Sequence, residues 1–298
     1  MTIRGRLWSN SFEYPIYNHN HTVNVSSVQI EVDAGYESPK RIYIIEAKKG
    51  KRDNFHIRQL YYPYRDWSGK TTKEVVPIFF TYTNGLFYLT QFKFGDSFSD
   101  ISIVKNECYT INEHPTQSVD LVQLLRAIIV EKEPIDIPYP QADDLDKVID
   151  LVSNVKAGYD NKFDIASYFE FDERQGDYYA NAAIYLGLIK RTKRTKGKIG
   201  IFELTDLGLK LLNCDSRVQR NLVVLKQLLK KPTFNESIVS LSKNKLDVES
   251  LSKNQIAMSI EMHTELTKDT PLRRTSTVLS WLRWICKNMD LQIPTRDL

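Results

Sequence analysis

With 298 residues, the chain is long enough for two compact domains, since single domains commonly hold about 100–150 residues. Its apolar content of 42% and charged content of 26% are typical of globular proteins, and they exclude wholesale disorder and collagen-like repeats. A net charge of +4 permits nucleic-acid binding without requiring it. The sequence shows neither a signal-peptide pattern nor an apolar run of about 20 residues, so we expect a cytoplasmic protein with no membrane partner.

The N-terminal part is predicted to consist mainly of strands. From residue 22 to about 111 the sequence is dense in Val, Ile, Tyr, Phe and Thr, often in alternation with polar residues. One helix is expected over 54–65, with Asp53 as its N-cap. Asn84-Gly85 is a strong β-hairpin signal. The strands expected after the helix are 75–82, 86–94 and 101–111.

The C-terminal part is predicted to be mainly helical. A helix is expected over 118–130, and the proline-spaced segment that follows is unsuited to both helix and sheet, so we assign a linker to 132–144. The helices expected beyond the linker are 144–156, 162–170, 173–187, 205–213, 216–231, 246–264 and 275–289. A basic segment followed by residues 199–204 indicates a short hairpin among them.

Two carboxylates and a lysine lie at the ends of two successive predicted strands, where apolar residues give way to charged ones. Strand side chains alternate, so Glu31 and Asp33 share one face in VQIEVDAGYE, and Glu46 and Lys48 share one face in RIYIIEAKKG. We expect a turn on Gly35 and Pro39 between the strands, which brings these groups to the mouth of a hairpin. Asp33 and Glu46 would then bind a hard cation such as Mg²⁺, with the Ala47 carbonyl beside them.

The remaining roles at this site follow from the same chemistry. Lys48 could position a hydroxide and stabilise the charge that develops on a phosphorane-like transition state. Glu31 is an alternative or additional ligand, because it shares the face of Asp33. An ordinary exposed strand end is the competing interpretation of all these residues.

The pattern resembles the PD-(D/E)XK nuclease superfamily, the fold of most type II restriction enzymes. Asp33 is followed by twelve residues and then by Glu46-Ala47-Lys48, while Val32 stands where the superfamily motif has proline. The resemblance implies a restriction-endonuclease-like mixed central sheet with flanking helices, and Mg²⁺ as the cofactor.

The helix FHIRQLYYPYRDW also resembles the superfamily, many of whose members carry a glutamine and a nearby tyrosine after the lysine strand. The resemblance implies a catalytic role for Gln59 and contacts of Tyr62 or Arg65 with the DNA backbone. Pro63 departs from the common Gln-x-x-x-Tyr spacing. Packing in the core is an equal explanation for the tyrosines of this helix.

Residues 162–212 resemble a winged helix-turn-helix. In such domains the longer helix enters the major groove and the wing contacts phosphates. The residues expected to face DNA from that helix are Tyr178, Tyr179 and Asn181, and those expected from the wing are Lys190, Arg191, Lys193, Arg194, Lys196 and Lys198. A solvated surface and a protein-binding surface are the alternatives. A second, weaker helix-turn-helix is expected near the C-terminus, with Arg273 and Arg274 at a helix start.

The fold class expected from these features is α/β (α+β), with a mostly α winged-helix C-terminal region. The expected domains are a nuclease domain over 1–131, the linker over 132–144, a winged helix-turn-helix over 145–215 and a second DNA-binding or dimerisation region over 216–298.

The resemblance implies a type II restriction endonuclease that hydrolyses both strands of double-stranded DNA as a homodimer. It also allows a cognate DNA methyltransferase as a partner in the same system. A DNA-binding regulator with a decayed nuclease fold and a repair or junction nuclease are the competing functions.

Overall fold

The computed structural model describes residues 3–16, 21–50, 55–95, 97–111, 118–170, 172–192 and 200–293. The chain divides into two compact units, Met1–Ile111 and Asn112–Leu298. The division lies 20 residues before the boundary expected from the sequence at residue 131. The segment 118–131 therefore belongs to the second unit, because Leu121 is fully buried in that unit's core.

The first unit is built on a mixed β-sheet. Its elements are β1 (Ile3–Trp8), β2 (Phe12–Ile16), β3 (His21–Val25), β4 (Gln29–Glu37), β5 (Arg41–Lys49), α1 (Arg58–Ser68), β6 (Glu74–Thr83), β7 (Leu86–Phe94) and β8 (Ile101–Thr110). Six strands form a sheet in the order β1-β4-β5-β6-β7-β8, and β2 pairs with β3 separately. Only β5 and β6 are parallel among the paired strands described in this sheet, and α1 lies in the crossover that a parallel pair requires.

The turns of this unit agree in part with the sequence. Asn84 and Gly85 have φ values of 43° and 81°, as a two-residue hairpin turn of type I′ requires, so that prediction is confirmed. Helix α1 begins at Arg58, four residues later than expected from 54, and it continues to Ser68. The expected N-cap, Asp53, lies outside the described residues.

The core of the first unit has an aromatic and an aliphatic cluster. Helix α1 contributes Leu60 and the fully buried Tyr61 to the aromatic cluster. The aliphatic cluster contains Ile3, Val32, Ile42, Ile44 and Val75. The two clusters hold α1 against the sheet next to the charged ends of β4 and β5.

The second unit is mainly helical. Its elements are β9 (Val119–Asp120), α2 (Leu121–Ala127), α3 (Leu145–Lys156), α4 (Lys162–Phe169), α5 (Glu173–Tyr185), β10 (Ile189–Arg191), β11 (Phe202–Leu204), α6 (Asp206–Leu212), α7 (Arg217–Leu229), α8 (Pro232–Lys243), α9 (Lys253–His263), α10 (Thr270–Asn288) and β12 (Leu291–Gln292). Strand β10 pairs with β11, and β9 pairs in parallel with β12.

Helix α8 was not predicted from the sequence, and the helix predicted over 246–264 begins only at Lys253. The sequence of α8, PTFNESIVSLSK, is rich in Ser and Thr, whose helix propensity is low. Pro232 suits the first turn of a helix. Burial of Phe234, Ile238 and Leu241 in the core stabilises the helix despite that propensity.

The segment 132–144 is not an exposed linker. Tyr139 and Ala142 are buried in the core of the second unit. The indole nitrogen of Trp281 donates a hydrogen bond of 2.7 Å to the Ala142 carbonyl. Just before the segment, the Glu131 amide donates to the Lys230 carbonyl at 2.7 Å. Its prolines prevent regular structure, yet tertiary contacts fix its path, so the predicted linker is an integral part of this unit.

Within the described ranges, no helix has the combination of length and apolar character that crossing a membrane requires.

Candidate active site

A β-bulge lies at the centre of the candidate site. Ile3 pairs with Gly35, and Gly5 pairs with Val32, so β4 has one residue more than β1 between these two pairs. The bulge contains Asp33 and Ala34. Bulges interrupt strand alternation and change the direction of a side chain, and they are common beside active sites. The turn expected on Gly35 is instead formed after it, because Gly35 lies within β4.

Asp33 is fixed to the neighbouring strand by its side chain. The pairing of β4 with β5 ends at Ala34 and Ile45. Beyond that point the Asp33 carboxylate, through Oδ2, accepts a hydrogen bond of 2.7 Å from the Ala47 amide. The carboxylate thus takes the place of a main-chain acceptor and holds Asp33 next to Glu46.

Glu46 and Lys48 form a largely buried ion pair. Lys48 Nζ lies 3.0 Å from Glu46 Oε1, and their side chains are 17% and 6% exposed. Burial raises the pKa of Glu46, and the nearby charges of Asp33 and Glu31 raise it further, while Lys48 opposes them. A cation bound at these carboxylates would favour the ionised form of Glu46.

These groups face one hollow of about 340 Å³ between the sheet and α1. The sequence-predicted residues that line it are Glu31, Asp33, Glu46, Ala47, Lys48, Gln59 and Tyr62. Arg65 does not line it, and its guanidinium donates to the Glu13 carbonyl at 2.8 Å. The structure therefore brings together the predicted catalytic set, Gln59 included, and separates Arg65 from it.

Two further polar residues of the hollow, Arg58 and Gln29, were missed by the sequence analysis. Arg58 is exposed, and its guanidinium carbon lies 5.8 Å from the centre of the Tyr62 ring. Arg58 and Tyr62 are four residues apart on α1, so they share a helix face. The four-residue spacing from Tyr62 is the sequence signal from which Arg58 could have been predicted as a site residue.

The donor set fits a magnesium ion. No cluster of three or more His, Cys, Asp and Glu side chains suited to a metal occurs among the residues with described positions. Magnesium, however, is commonly held by one or two carboxylates together with waters and substrate phosphate oxygens. Asp33 and Glu46 supply two such carboxylates at one hollow.

The second unit contains the helices and hairpin expected of a helix-turn-helix with a wing. Helix α4 ends at Glu170 in the left-handed conformation, with φ of 56°, and Asp172 caps α5 by accepting from the Gln175 amide. The two helices approach closely at Gly176, where a Cβ would lie 2.4 Å from the Lys162 carbonyl. Strands β10 and β11 follow as the base of the hairpin.

The residues expected to read DNA from α5 have different environments. Tyr178 is half-buried. Tyr179 packs on the core and stacks on Phe169 with ring centres 6.4 Å apart, which gives it a structural role. The Asn181 side chain accepts from Arg191 at 3.1 Å and donates to Asp177 at 3.4 Å. Asn181 and Arg191 thus link α5 to the hairpin.

The basic hairpin is described only at its base. Lys190 lies 3.5 Å from Glu203, and Arg191 lies 2.8 Å from Asp177. The other expected wing residues, Lys193, Arg194, Lys196 and Lys198, lie outside the described residues.

The arginines at the start of α10 lie near α5. Arg273 is exposed, and Arg274 is half-buried. Burial lowers the pKa of Arg274, as does the neighbouring Arg273, while Tyr178 and Asp143 are close enough to favour its charge. Tyr178 on α5 and Arg274 on α10 are thus close enough for an electrostatic interaction.

Comparison with known proteins divides the chain in a similar way. Residues 1–110 match a family model described as a domain of unknown function (DUF6997). Residues 147–290 match a second one, also described as a domain of unknown function (DUF7226). Neither a curated protein nor a solved structure matches the chain.

Proposed function

We propose that the chain is a magnesium-dependent endonuclease of the type II restriction class that cuts double-stranded DNA. The observation that carries the proposal is the joint placement of Asp33, Glu46 and Lys48, with Asp33 bound to the Ala47 amide. The six-stranded mixed sheet with α1 beside the site is compatible with a restriction-endonuclease-like fold.

The residues that line the hollow would have different roles in phosphodiester hydrolysis. Asp33 and Glu46 would hold Mg²⁺ together with the Ala47 carbonyl. When bound, the ion would act as a Lewis acid and lower the pKa of a bound water. Lys48 would donate to the attacking hydroxide or to the phosphate oxygen on which charge develops. Arg58 and Gln59, both exposed on α1, would orient the phosphate.

The second unit would supply the binding to DNA. Tyr178 on α5 would approach the major groove, and the basic hairpin and Arg273 would contact phosphates, which gives affinity that falls with salt. Cutting both strands usually takes two active sites, so a homodimer is the proposed assembly.

The experiment is cleavage of plasmid DNA by the purified protein with Mg²⁺ and with EDTA. We expect discrete fragments with Mg²⁺ alone. Lys48→Ala should reduce the cleavage rate by about 100-fold or more, since loss of one donor to transition-state charge has such effects. Gel retention of DNA without Mg²⁺ should be unchanged, and Lys105→Ala on the edge strand β8 should cleave normally.

Three results would contradict the proposal. Retention of DNA by the wild type with no cleavage by Mg²⁺ or Mn²⁺ would indicate the non-catalytic regulator. Cleavage confined to four-way junctions would indicate the junction nuclease. Full activity of Lys48→Ala would remove Lys48 from the catalytic set.

A further inference from the structure

A second hollow, of about 650 Å³, adjoins the hollow of the proposed nuclease centre. Its volume is within the range of sites that hold small molecules, about 300–1,000 Å³. The residues that line both hollows are Glu31, Asp33, Ala47 and Lys48. The aromatic and cationic residues that line only the second are Arg4, Lys49, Phe80, Tyr82 and Phe87. We call this second space the aromatic hollow.

The rings of the aromatic hollow lie on the face of the sheet opposite α1. Side chains alternate along a strand, and Phe79 of β6 packs in the aromatic cluster with α1, so Phe80 and Tyr82 point to the other face. Phe87 pairs directly with Tyr82 between β6 and β7 and therefore shares its face. The Phe87 ring centre lies 4.9 Å from that of Tyr82 and 6.2 Å from that of Phe80. The three rings thus form one aromatic surface.

This surface lies at the same edge of the sheet as the proposed catalytic residues. Strands β5 and β6 are parallel, and Lys49, which follows Lys48, is level with Tyr82. The pairing of β4 with β5 ends at Ala34 and Ile45, before this edge is reached. Past that point the residues of the two strands line a hollow on each face of the sheet. A ligand in the aromatic hollow would therefore lie next to the proposed metal site.

The ring of Tyr82 is accessible to a ligand. The residue is 40% exposed, and Phe80 and Phe87 beside it are half-buried. Burial of large aromatic faces removes apolar surface from water, and stacked or edge-to-face rings add to that gain. The surface is therefore suited to a ligand with a flat apolar part.

The charges around the rings favour an anion attached to that flat part. Arg4 and Lys49 are the cations that only this hollow has, and both residues are exposed. Arg4 lies on β1 opposite the bulge that contains Asp33. The two carboxylates of the lining already have partners, because Asp33 accepts from a main-chain amide of β5 and Glu31 lies 3.5 Å from Arg6. The exposed cations are in a position to contact phosphate groups.

Aromatic rings together with cations are the groups by which proteins bind unpaired nucleotides, the bases by stacking and the phosphates by charge. A paired base inside a duplex is covered on both faces by its neighbours, so it cannot stack on a protein ring. A base that is single-stranded, or that is extruded from the duplex, has a free face. The lining of the aromatic hollow therefore suits an unpaired base.

We propose that the aromatic hollow binds an unpaired nucleobase of the DNA strand that enters the nuclease centre. The base stacks on Tyr82 and Phe87, and Arg4 and Lys49 contact the phosphates next to it. The inference rests on the proposed function, which places the scissile phosphate in the adjoining hollow. Two sources share this chemistry, a single strand and a nucleotide extruded from a duplex.

The test is photocross-linking of the full-length protein to DNA that contains 5-iodouracil, which on irradiation loses iodine and bonds to a stacked aromatic side chain. EDTA prevents cleavage during the experiment. We expect a single-stranded oligonucleotide to cross-link to the peptide that contains Tyr82 and Phe87, identified by mass spectrometry. A duplex with the same base paired to adenine distinguishes the two sources. A cross-link of similar yield from the duplex indicates extrusion, and a much lower yield indicates a single strand.

Three variants test the role of the tyrosine ring. Tyr82→Ala should lower the cross-linking yield about tenfold, since stacking of one base on an aromatic ring has an effect of that size on affinity. Tyr82→Phe keeps the ring and should cross-link as the wild type does. Tyr36→Ala is the matched control, because Tyr36 is 47% exposed on the same sheet, beside the turn between β4 and β5. Its yield should equal that of the wild type.

Arg4→Gln tests the phosphate contact and remains informative if Tyr82→Ala does not fold. Arg4 is exposed, so we expect the variant to fold normally. Affinity for the single strand, measured by fluorescence anisotropy in EDTA, should fall. The slope of log affinity against log salt concentration should decrease in magnitude by about 0.7, the value for one phosphate contact with a single strand.

Four results would overturn the proposal: cross-links that map only outside the aromatic hollow, an unchanged yield in folded Tyr82→Ala, an unchanged salt slope in Arg4→Gln, or no cross-link with either DNA. These results are distinct from failure of the nuclease proposal. A cross-link at Tyr82 in a protein that cuts no plasmid would contradict only the nuclease, whereas cleavage of plasmid without that cross-link would contradict only the base site.

Discussion

At the scale of single residues, Asp33 is held by a contact that fixes the end of a strand and places the carboxylate for the proposed chemistry. Its Oδ2 atom accepts from the Ala47 amide at 2.7 Å, where the pairing of β4 and β5 has ended. The same contact places the carboxylate near Glu46, whose pKa responds to it. A shorter side chain would leave the Ala47 amide without this acceptor, and an uncharged one would remove a ligand of the proposed cation.

Gly35 controls this arrangement through steric contact. A Cβ at this position would lie 2.6 Å from the Ile3 Cβ, closer than packed atoms allow. We predict that Gly35→Ala displaces β1 from β4 and lowers the free energy of unfolding by about 1–3 kcal/mol, as overpacking does. Urea denaturation followed by circular dichroism measures this change.

Gly69→Ala is the matched control for this prediction. Gly69 has φ of −80°, and a Cβ there would meet only ordinary contacts, 3.6 Å from the Asp66 carbonyl at the closest. Its stability should stay within about 0.5 kcal/mol of the wild type. A Gly35→Ala protein as stable as Gly69→Ala would show that β1 and β4 are not in close steric contact at the bulge.

At the scale of elements, periodicity and turn signals predicted most helices and strands but not the bulge. The Asn84-Gly85 turn and helices α3 to α7 follow from local sequence alone. The bulge at Asp33 depends on the register of β1 against β4, which are separated in the chain by two further strands. Local pattern carries no information about that register.

The residues of the candidate site also differ in whether local sequence predicts their position. Glu46 and Lys48 were predictable because an apolar strand ends in alternating charge. The sequence did not predict the inward packing of Tyr179 or the hydrogen bond between Arg191 and Asn181, because both depend on partners from other elements.

Helices α4 and α5 form one packing unit, and Gly176 allows their close approach. A Cβ at Gly176 would lie 2.4 Å from the Lys162 carbonyl and 3.1 Å from the Ala166 Cβ. We predict that Gly176→Ala separates the helices, lowers the free energy of unfolding by about 1–3 kcal/mol and weakens DNA retention. Thermal denaturation and gel retention at constant salt measure the two effects.

Ser167→Ala on the exposed side of α4 is the control, and it should alter neither property, since surface changes of this kind stay within about 0.5 kcal/mol. The helix propensity of alanine exceeds that of glycine by about 1 kcal/mol, so propensity alone would stabilise Gly176→Ala. A more stable Gly176→Ala protein would therefore refute the close approach of α4 and α5.

At the scale of the whole molecule, the division at residue 111 agrees with the two family matches, which cover 1–110 and 147–290. The residues between these matches are not a spacer. They include β9, α2 and the segment with Tyr139 and Ala142, which all pack in the second unit. The boundary predicted from the sequence lies at the prolines, because prolines end regular structure. The segment nevertheless packs in the second unit through contacts with residues distant in sequence, which a local pattern does not show.

Two fragments test whether the second unit begins at residue 112 or at the predicted linker. The fragment 112–298 retains β9 and α2, whereas 132–298, which begins at the linker expected from the sequence, loses both. The shorter fragment also loses the fully buried Leu121 and the ion pair of Glu131 with Lys230. Removal of a buried leucine alone costs about 2–5 kcal/mol, so we predict that 132–298 is less stable by at least about 2 kcal/mol.

Urea denaturation of both fragments, with circular dichroism as the signal, measures the difference. Within 112–298, Leu121→Ala should reproduce most of the loss, whereas Ile129→Ala, at a side chain that is 84% exposed, should have almost no effect. Equal stability of the two fragments would mean that 112–131 contributes nothing to the second unit.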